Sequence, residues 1–269
     1  MKPIGKSIGK FLAAATFAAA AVVTVVGAGS VPARAQDAVI ASIKQNGTFR
    51  VGVDATFAPF EFSQDGKKTG FDIELVEAIA KELGATKGVE WVDIDFKGLI
   101  PGLLANRFDM IASAMYITEE RRKVVGFSDT YYPGGLVIMV KANNTAVKGP
   151  SDLEGKTAAV QIGTKSVAHL KEHFPKTKIV EVETNAEMFG QVETGRTDVA
   201  VTGKPAAKLY AQTHPTVKVL DEQLTTEDYG FAMRKENTEL VTKVNAAIAK
   251  LKADGTYQKL VDKWFEAKK

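Results

Sequence analysis

Phe108-Asp109-Met110-Ile111-Ala112-Ser113-Ala114-Met115-Tyr116-Ile117-Thr118-Glu119-Glu120-Arg121-Arg122 runs from a short apolar strand, through a turn of small residues, into the start of a helix. Met110, Ile111 and Ala112 read as a buried strand, Thr118 is placed to cap the helix, and Arg121 falls on its first turn. Such a layout builds an anion site. Backbone N–H groups of the turn are left without helical partners, and an arginine there can grip a carboxylate with two parallel hydrogen bonds. A bland reading competes, in which Arg121 is one solvated charge beside Arg122 and Lys123.

Outward from this stretch, short β-type runs over 48–53, 89–92, 109–112, 136–140, 157–160, 178–182, 198–202 and 231–234 alternate with helical patterns near 71–83, 96–105, 118–123, 164–173, 184–194, 204–212 and 237–265. This alternation predicts an α/β protein with parallel sheets. Two polar or breaker-rich segments, Tyr131-Tyr132-Pro133-Gly134-Gly135 and Thr225-Thr226-Glu227-Asp228-Tyr229-Gly230, suit a chain that crosses twice between two lobes. In the last pattern, Leu240, Val244, Ala247, Ile248 and Leu251 form one stripe, and Tyr257, Leu260, Val261 and Trp264 a second after a break at Asp254-Gly255. Both read as core.

Residues 1–35 carry the three regions of a secretory leader: Lys2, Lys6 and Lys10, an apolar run from Phe11 to Val26, and Ala33-Arg34-Ala35. Cleavage is expected after Ala35, since the run is shorter than the roughly 18 to 20 residues of a membrane span. The leader holds Lys2, Lys6, Lys10 and Arg34 and no acid, so the 35 basic and 32 acidic residues of the whole become 31 and 32. A near-neutral chain without a basic cluster interleaved with aromatics argues against nucleic acid and against an electrostatic membrane anchor. Cysteine is absent, so neither a disulfide nor a lipid-bearing cysteine is available. The expected location is the periplasm.

Several stretches, in order, carry a resemblance: 50–62 (RVGVDATFAPFEF), 70–75 (GFDIEL), 95–101 (DFKGLIP), 117–121 (ITEER), 127–129 (FSD), 140–144 (VKANN) and 253–257 (ADGTY). Over essentially the whole mature chain they resemble the solute-binding proteins of polar amino-acid ABC importers, with the glutamine-binding branch most alike. The resemblance implies a two-lobed periplasmic-binding-protein fold of type II, each lobe a mixed sheet flanked by helices. One lobe is expected over 36–131 and 230–269 and the other, inserted, over 136–224, with hinges at 132–135 and 225–229. It implies a monomer that closes on one small ligand and is read by a membrane permease, with no cofactor and no metal.

Carried onto this sequence, the resemblance places the ligand's carboxylate at Arg121, Ser113, Ala114, Gly163 and Thr164, and its carbon chain between Phe57 and Phe96. Asp54, Tyr116, Gln161, Lys165, Thr202 and Gly203 complete the expected site. One departure stands out: Gly203 occupies the position at which the family carries an aspartate for the ligand's α-ammonium. Either Asp54, Glu227 or Asp228 substitutes, or the ligand is a carboxylate without a free α-amine, such as an oxo acid, an N-substituted amino acid or a diacid. Tyr116 in place of a small hydroxyl residue, and Lys165, point the same way.

Enzymatic readings are weaker. Dehydratases on this fold need an acid near 202–206, and that segment reads Thr-Gly-Lys-Pro-Ala. His169-Leu170-Lys171-Glu172-His173 satisfies an H-x-x-E-H metal pattern, but it reads better as an exposed helix face ended by Pro175. There is no catalytic cysteine, no G-x-S-x-G elbow and no P-loop.

Overall fold

A computed structural model describes residues 38–266. The leader expected over 1–35, with its cleavage site, lies outside the described residues. The described chain opens with α1 (Ala38–Asn46) and β1 (Thr48–Val53), then a small antiparallel sheet of β2 (Thr56–Phe57), β3 (Glu61–Gln64) and β4 (Lys67–Thr69). Next come α2 (Phe71–Leu83), β5 (Gly88–Asp93), α3 (Leu99–Leu104), β6 (Met110–Ile111), α4 (Glu119–Arg122) and β7 (Gly126–Phe127). The chain then crosses to β8 (Leu136–Lys141), β9 (Thr157–Gln161), α5 (Lys165–His173), β10 (Lys178–Val182), α6 (Asn185–Thr194), β11 (Val199–Gly203), α7 (Lys204–Thr213) and β12 (Val217–Gln223). It returns through β13 (Ala232–Met233) to α8 (Thr238–Ala253) and α9 (Thr256–Phe265).

Two five-stranded sheets result, in the orders β5-β1-β6-β13-β7 and β10-β9-β11-β8-β12, and each carries its own helices. The fold is therefore two-lobed α/β. The sheets are mixed, as the resemblance implied, and not wholly parallel, as alternation alone suggested. β1 runs parallel to β5 and β6, and β9 parallel to β10 and β11. β8 and β13 are antiparallel to their neighbours. Each of these two is the first strand after a crossing, so no βαβ crossover helix fixes its direction. At the crossings Tyr229 bridges to both Tyr116 and Tyr132, which ties the two connections side by side.

Composition explains the burial. β8 reads Leu-Val-Ile-Met-Val before Lys141, and all five apolar residues are buried, as befits a strand covered on both faces. In the first lobe, Phe71, Leu75, Val76 and Ile79 of α2 pack with Phe49 and Val51 of β1. The expected stripe of α8 is buried throughout. That of α9 is not: Tyr257, Leu260, Val261 and Trp264 are half-buried, because the last helix covers the core from one side only. Gly255, at φ +80°, makes the break between the two helices.

Candidate functional site

The ends of β1, β6, β9 and β11 and the starts of α4 and α5 meet around one cavity. Twelve of the thirteen expected residues line it: Asp54, Phe57, Phe96, Ser113, Ala114, Tyr116, Arg121, Gln161, Thr164, Lys165, Thr202 and Gly203. Gly163 does not line it, but its carbonyl accepts from Arg121 Nη2 at 3.3 Å.

Arg121 sits as its sequence neighbours dictate. Thr118 caps the short α4, its Oγ1 accepting from the Arg121 N–H at 3.2 Å. The guanidinium donates from Nη1 to the Tyr116 carbonyl at 2.9 Å and lies over the Phe96 ring, 5.5 Å from its centroid. Among the described residues it takes part in no ion pair. Burial lowers its pKa to about 10, so the site holds a cation whose charge asks for an anion. One expected contact is altered: the Ala114 N–H, among the amides read as facing the ligand, donates to Asp72 Oδ2 at 3.1 Å. Ala114 adopts φ +38°, a strained left-handed conformation that bends the Ser113–Ala114 turn toward this carboxylate. Thr164 precedes α5, but its hydroxyl donates back to the Gln161 carbonyl at 2.6 Å instead of capping the helix.

Opposite charge lies elsewhere in the same cavity. Asp54 is buried, its carboxylate accepting from Gln161 Nε2 at 2.6 Å, and burial raises its pKa to about 6 against hydrogen bonds from Thr56, Gln161 and Phe96. Gln161 is held in turn: Nε2 also donates to the Glu183 carbonyl at 2.9 Å, and Oε1 accepts from Asn185 at 3.2 Å. Of the other two acids considered as ammonium partners, Glu227 pairs with Lys165 at 3.4 Å and Asp228 accepts from the Gly134 N–H at 3.4 Å; neither lines the cavity. Lys165 is thus a neutralised cation.

Gly203 proves to be a close approach and not merely a missing acid. A Cβ there would lie 2.3 Å from the Tyr229 hydroxyl and 3.2 Å from that of Tyr116. Tyr229 Oη donates to Tyr116 Oη at 2.9 Å, and Tyr116 Oη also accepts from the Gly135 N–H at 3.2 Å. The two rings stack with centroids 4.5 Å apart.

Glu61, Leu136, Ser166, Asn185, Val201 and Tyr229 also line the cavity and were missed. Glu61 lies inside the stretch 50–62 that carried the resemblance, yet nothing in its local pattern marks it as buried. His169 and His173 face each other with ring centroids 4.6 Å apart, but His169 is buried against Phe174 and not exposed as expected. Among the described residues no cluster of three histidines, cysteines or acids could hold a metal.

Comparison with known proteins places this geometry. Residues 49–267 match the sequence profile of the bacterial extracellular solute-binding proteins, family 3. The L-cystine-binding protein TcyJ of Escherichia coli K12 is 32% identical over 241 residues, covering 88% of this chain and 90% of that protein. A mutant of ArgBP from T. maritima superposes with a TM-score of 0.81 at 39% identity, over 85% of this chain and all of that one. The ancestral amino acid-binding protein AncCDT-1, described as a precursor of cyclohexadienyl dehydratase, gives a TM-score of 0.79 at 45% identity over 84% and 99% of the two chains.

Proposed function

The chain belongs to the bacterial extracellular solute-binding proteins of family 3, and on that premise we propose that it is the periplasmic receptor of an ABC importer, binding a polar amino acid or close derivative. The observation that carries this reading is Arg121, a cation in no ion pair among the described residues, facing a cavity that Asp54 also lines. The two charges suit the carboxylate and a cationic group of one ligand, with Phe57 and Phe96 along its carbon chain. The names of the cystine-binding relative and of the ancestral amino acid-binding protein support the same class.

In this proposal, residues 36–131 and 230–269 form one lobe and 136–224 the other. Segments 132–135 and 225–229 act as hinges, so the lobes close over the ligand. The receptor works as a monomer, delivers its ligand to a membrane permease and performs no chemistry. The dehydratase lineage of one neighbour makes catalysis the competing class, but the Thr202–Ala206 segment offers no acid to serve it. A second binding reading, a carboxylate without a free α-amine, rests on the Tyr229 hydroxyl filling the space beside Gly203.

The test strips carried-over ligand by unfolding and refolding, then compares melting shifts with amino acids, N-substituted amino acids, oxo acids and diacids. A free amino acid should give the dominant shift and be recovered chemically unchanged. Arg121→Ala should weaken that ligand by roughly 100-fold or more, as expected when a charge-assisted anchor is lost from a buried site, with the melting point of the empty protein little altered. Shifts confined to amine-free acids would select the second reading.

A further inference from the structure

Behind Ser113 the cavity wall rests on two acids. Glu61, the first residue of β3, lines the cavity and is 1% exposed; Asp72, on the first turn of α2, is fully buried. The Ser113 hydroxyl donates to Glu61 Oε1 at 3.2 Å. The Ala114 N–H and the Tyr131 hydroxyl, the latter at 2.7 Å, both donate to Asp72 Oδ2. Glu61 Oε2 and Asp72 Oδ1 are left as buried oxygens with no donor. Ser113 and Ala114 are consecutive and each donates to one of the acids, so the two carboxyl groups meet at a single turn. Two adjacent acceptors that each lack a donor are satisfied together by a single proton between them.

Charge around the pair completes the picture. Asp54 faces Glu61 as a third acid, and Tyr131 and Tyr229 are the other titratable groups against it, both kept neutral by burial. Among the described residues no basic side chain forms an ion pair with Asp54, Glu61 or Asp72. The two cations lining the cavity are held away from them: Lys165 by Glu227, and Arg121 by the carbonyls of Tyr116 and Gly163. Burial, reinforced by Asp72 and Asp54, holds the Glu61 carboxyl well above the usual carboxylate range, while Asp72 is raised to about 6.

On the receptor reading above, we infer that Glu61 and Asp72 keep one shared proton behind the cavity wall, and that a ligand whose side chain ends in a cation binds with expulsion of that proton. The balance is simple. The O–H of Glu61 breaks, the proton passes to solvent, and the ligand's cation takes its place beside two carboxylates. A side chain of equal size without charge leaves the proton where it is. Glu61 thereby becomes a specificity residue, reading charge at the end of the side chain while Arg121 reads the carboxylate.

Titration calorimetry on the refolded full chain tests this with L-arginine and its uncharged isostere L-citrulline, each at pH 7 in phosphate and in Tris, whose ionisation heats differ. Arginine should bind with a buffer-dependent heat corresponding to release of close to one proton, and its affinity should rise by up to about tenfold per pH unit between pH 6 and 7. Glu61→Gln should abolish both effects, and so should Asp72→Asn, which supplies a donor to Glu61 and serves if the first variant fails to fold. Arginine binding with buffer-independent heat overturns the inference and leaves the receptor reading standing. So does a proton release that survives in Glu61→Gln, or a site that accepts only uncharged amino acids. Absence of any amino-acid-induced melting shift overturns the receptor reading, and the inference with it.

Discussion

Gly203 shows how one residue type can carry a packing decision. The Tyr229 hydroxyl stands 2.3 Å from where a Cβ would be, and Tyr229 is fully buried, stacked on Tyr116. Gly203→Ala should therefore cost about 1–3 kcal/mol of stability through overpacking, read as a lowered urea midpoint. In a Tyr229→Phe background, where the hydroxyl is gone, the same substitution should cost clearly less, and equal costs in the two backgrounds would show that the hydroxyl is not what excludes a side chain. At this scale the sequence spoke unevenly. Arg121 was legible because its signal is local: a turn, a capping threonine and a first-turn position. Glu61 and Tyr229 were not, because an acid in a strand and a tyrosine in a polar segment look solvated until long-range packing buries them.

Among the elements, the first lobe's sheet is riveted by one buried acid. Asp109, just before β6, takes two hydrogen bonds from Arg50 of β1, at 2.7 and 3.0 Å, and one at 2.8 Å from Arg234, which directly follows β13. Arg234 also donates to the carbonyls of Leu103 and Phe108. Asp109→Ala strands a buried guanidinium and should destabilise the protein by about 3–5 kcal/mol, measured by urea unfolding, without removing any residue of the cavity. A shift below 1 kcal/mol would mean that water or a rearranged arginine replaces the carboxylate. Element existence was largely readable from periodicity, since a strand or an amphipathic helix is a local pattern. Strand direction was not. Whether β8 and β13 run with or against their neighbours depends on how the chain re-enters each sheet, and the half-buried state of α9 depends on its having a partner on one side only.

Across the whole molecule, polar contacts span the cleft. Gln161 of the second lobe reaches Asp54 of the first, Asn185 reaches Thr56 at 3.3 Å, Lys97 pairs with Glu183 at 2.5 Å, and Arg121 reaches Gly163. In the closure proposed above, these contacts hold the closed arrangement together. Gln161→Ala leaves the Asp54 carboxylate without its amide donor in that arrangement, so bound ligand should dissociate roughly 10–100-fold faster, with a smaller effect on association. Stopped-flow fluorescence after ligand displacement gives the rate directly, and an unchanged rate would dissociate Gln161 from closure.

Sequence by itself determined the α/β alternation, the two crossings, the local setting of Arg121 and twelve of the residues around the cavity, because each is written in local pattern or in motifs that occur in order along the chain. Tertiary structure alone decided which acids line the cavity and which are neutralised. Asp54 remains in the cavity, Glu227 is drawn off by Lys165, and Glu61 is driven into the wall beside Asp72. The physical reason is that charge state and burial are set by neighbours tens of residues away in the chain, and no local window of sequence contains them.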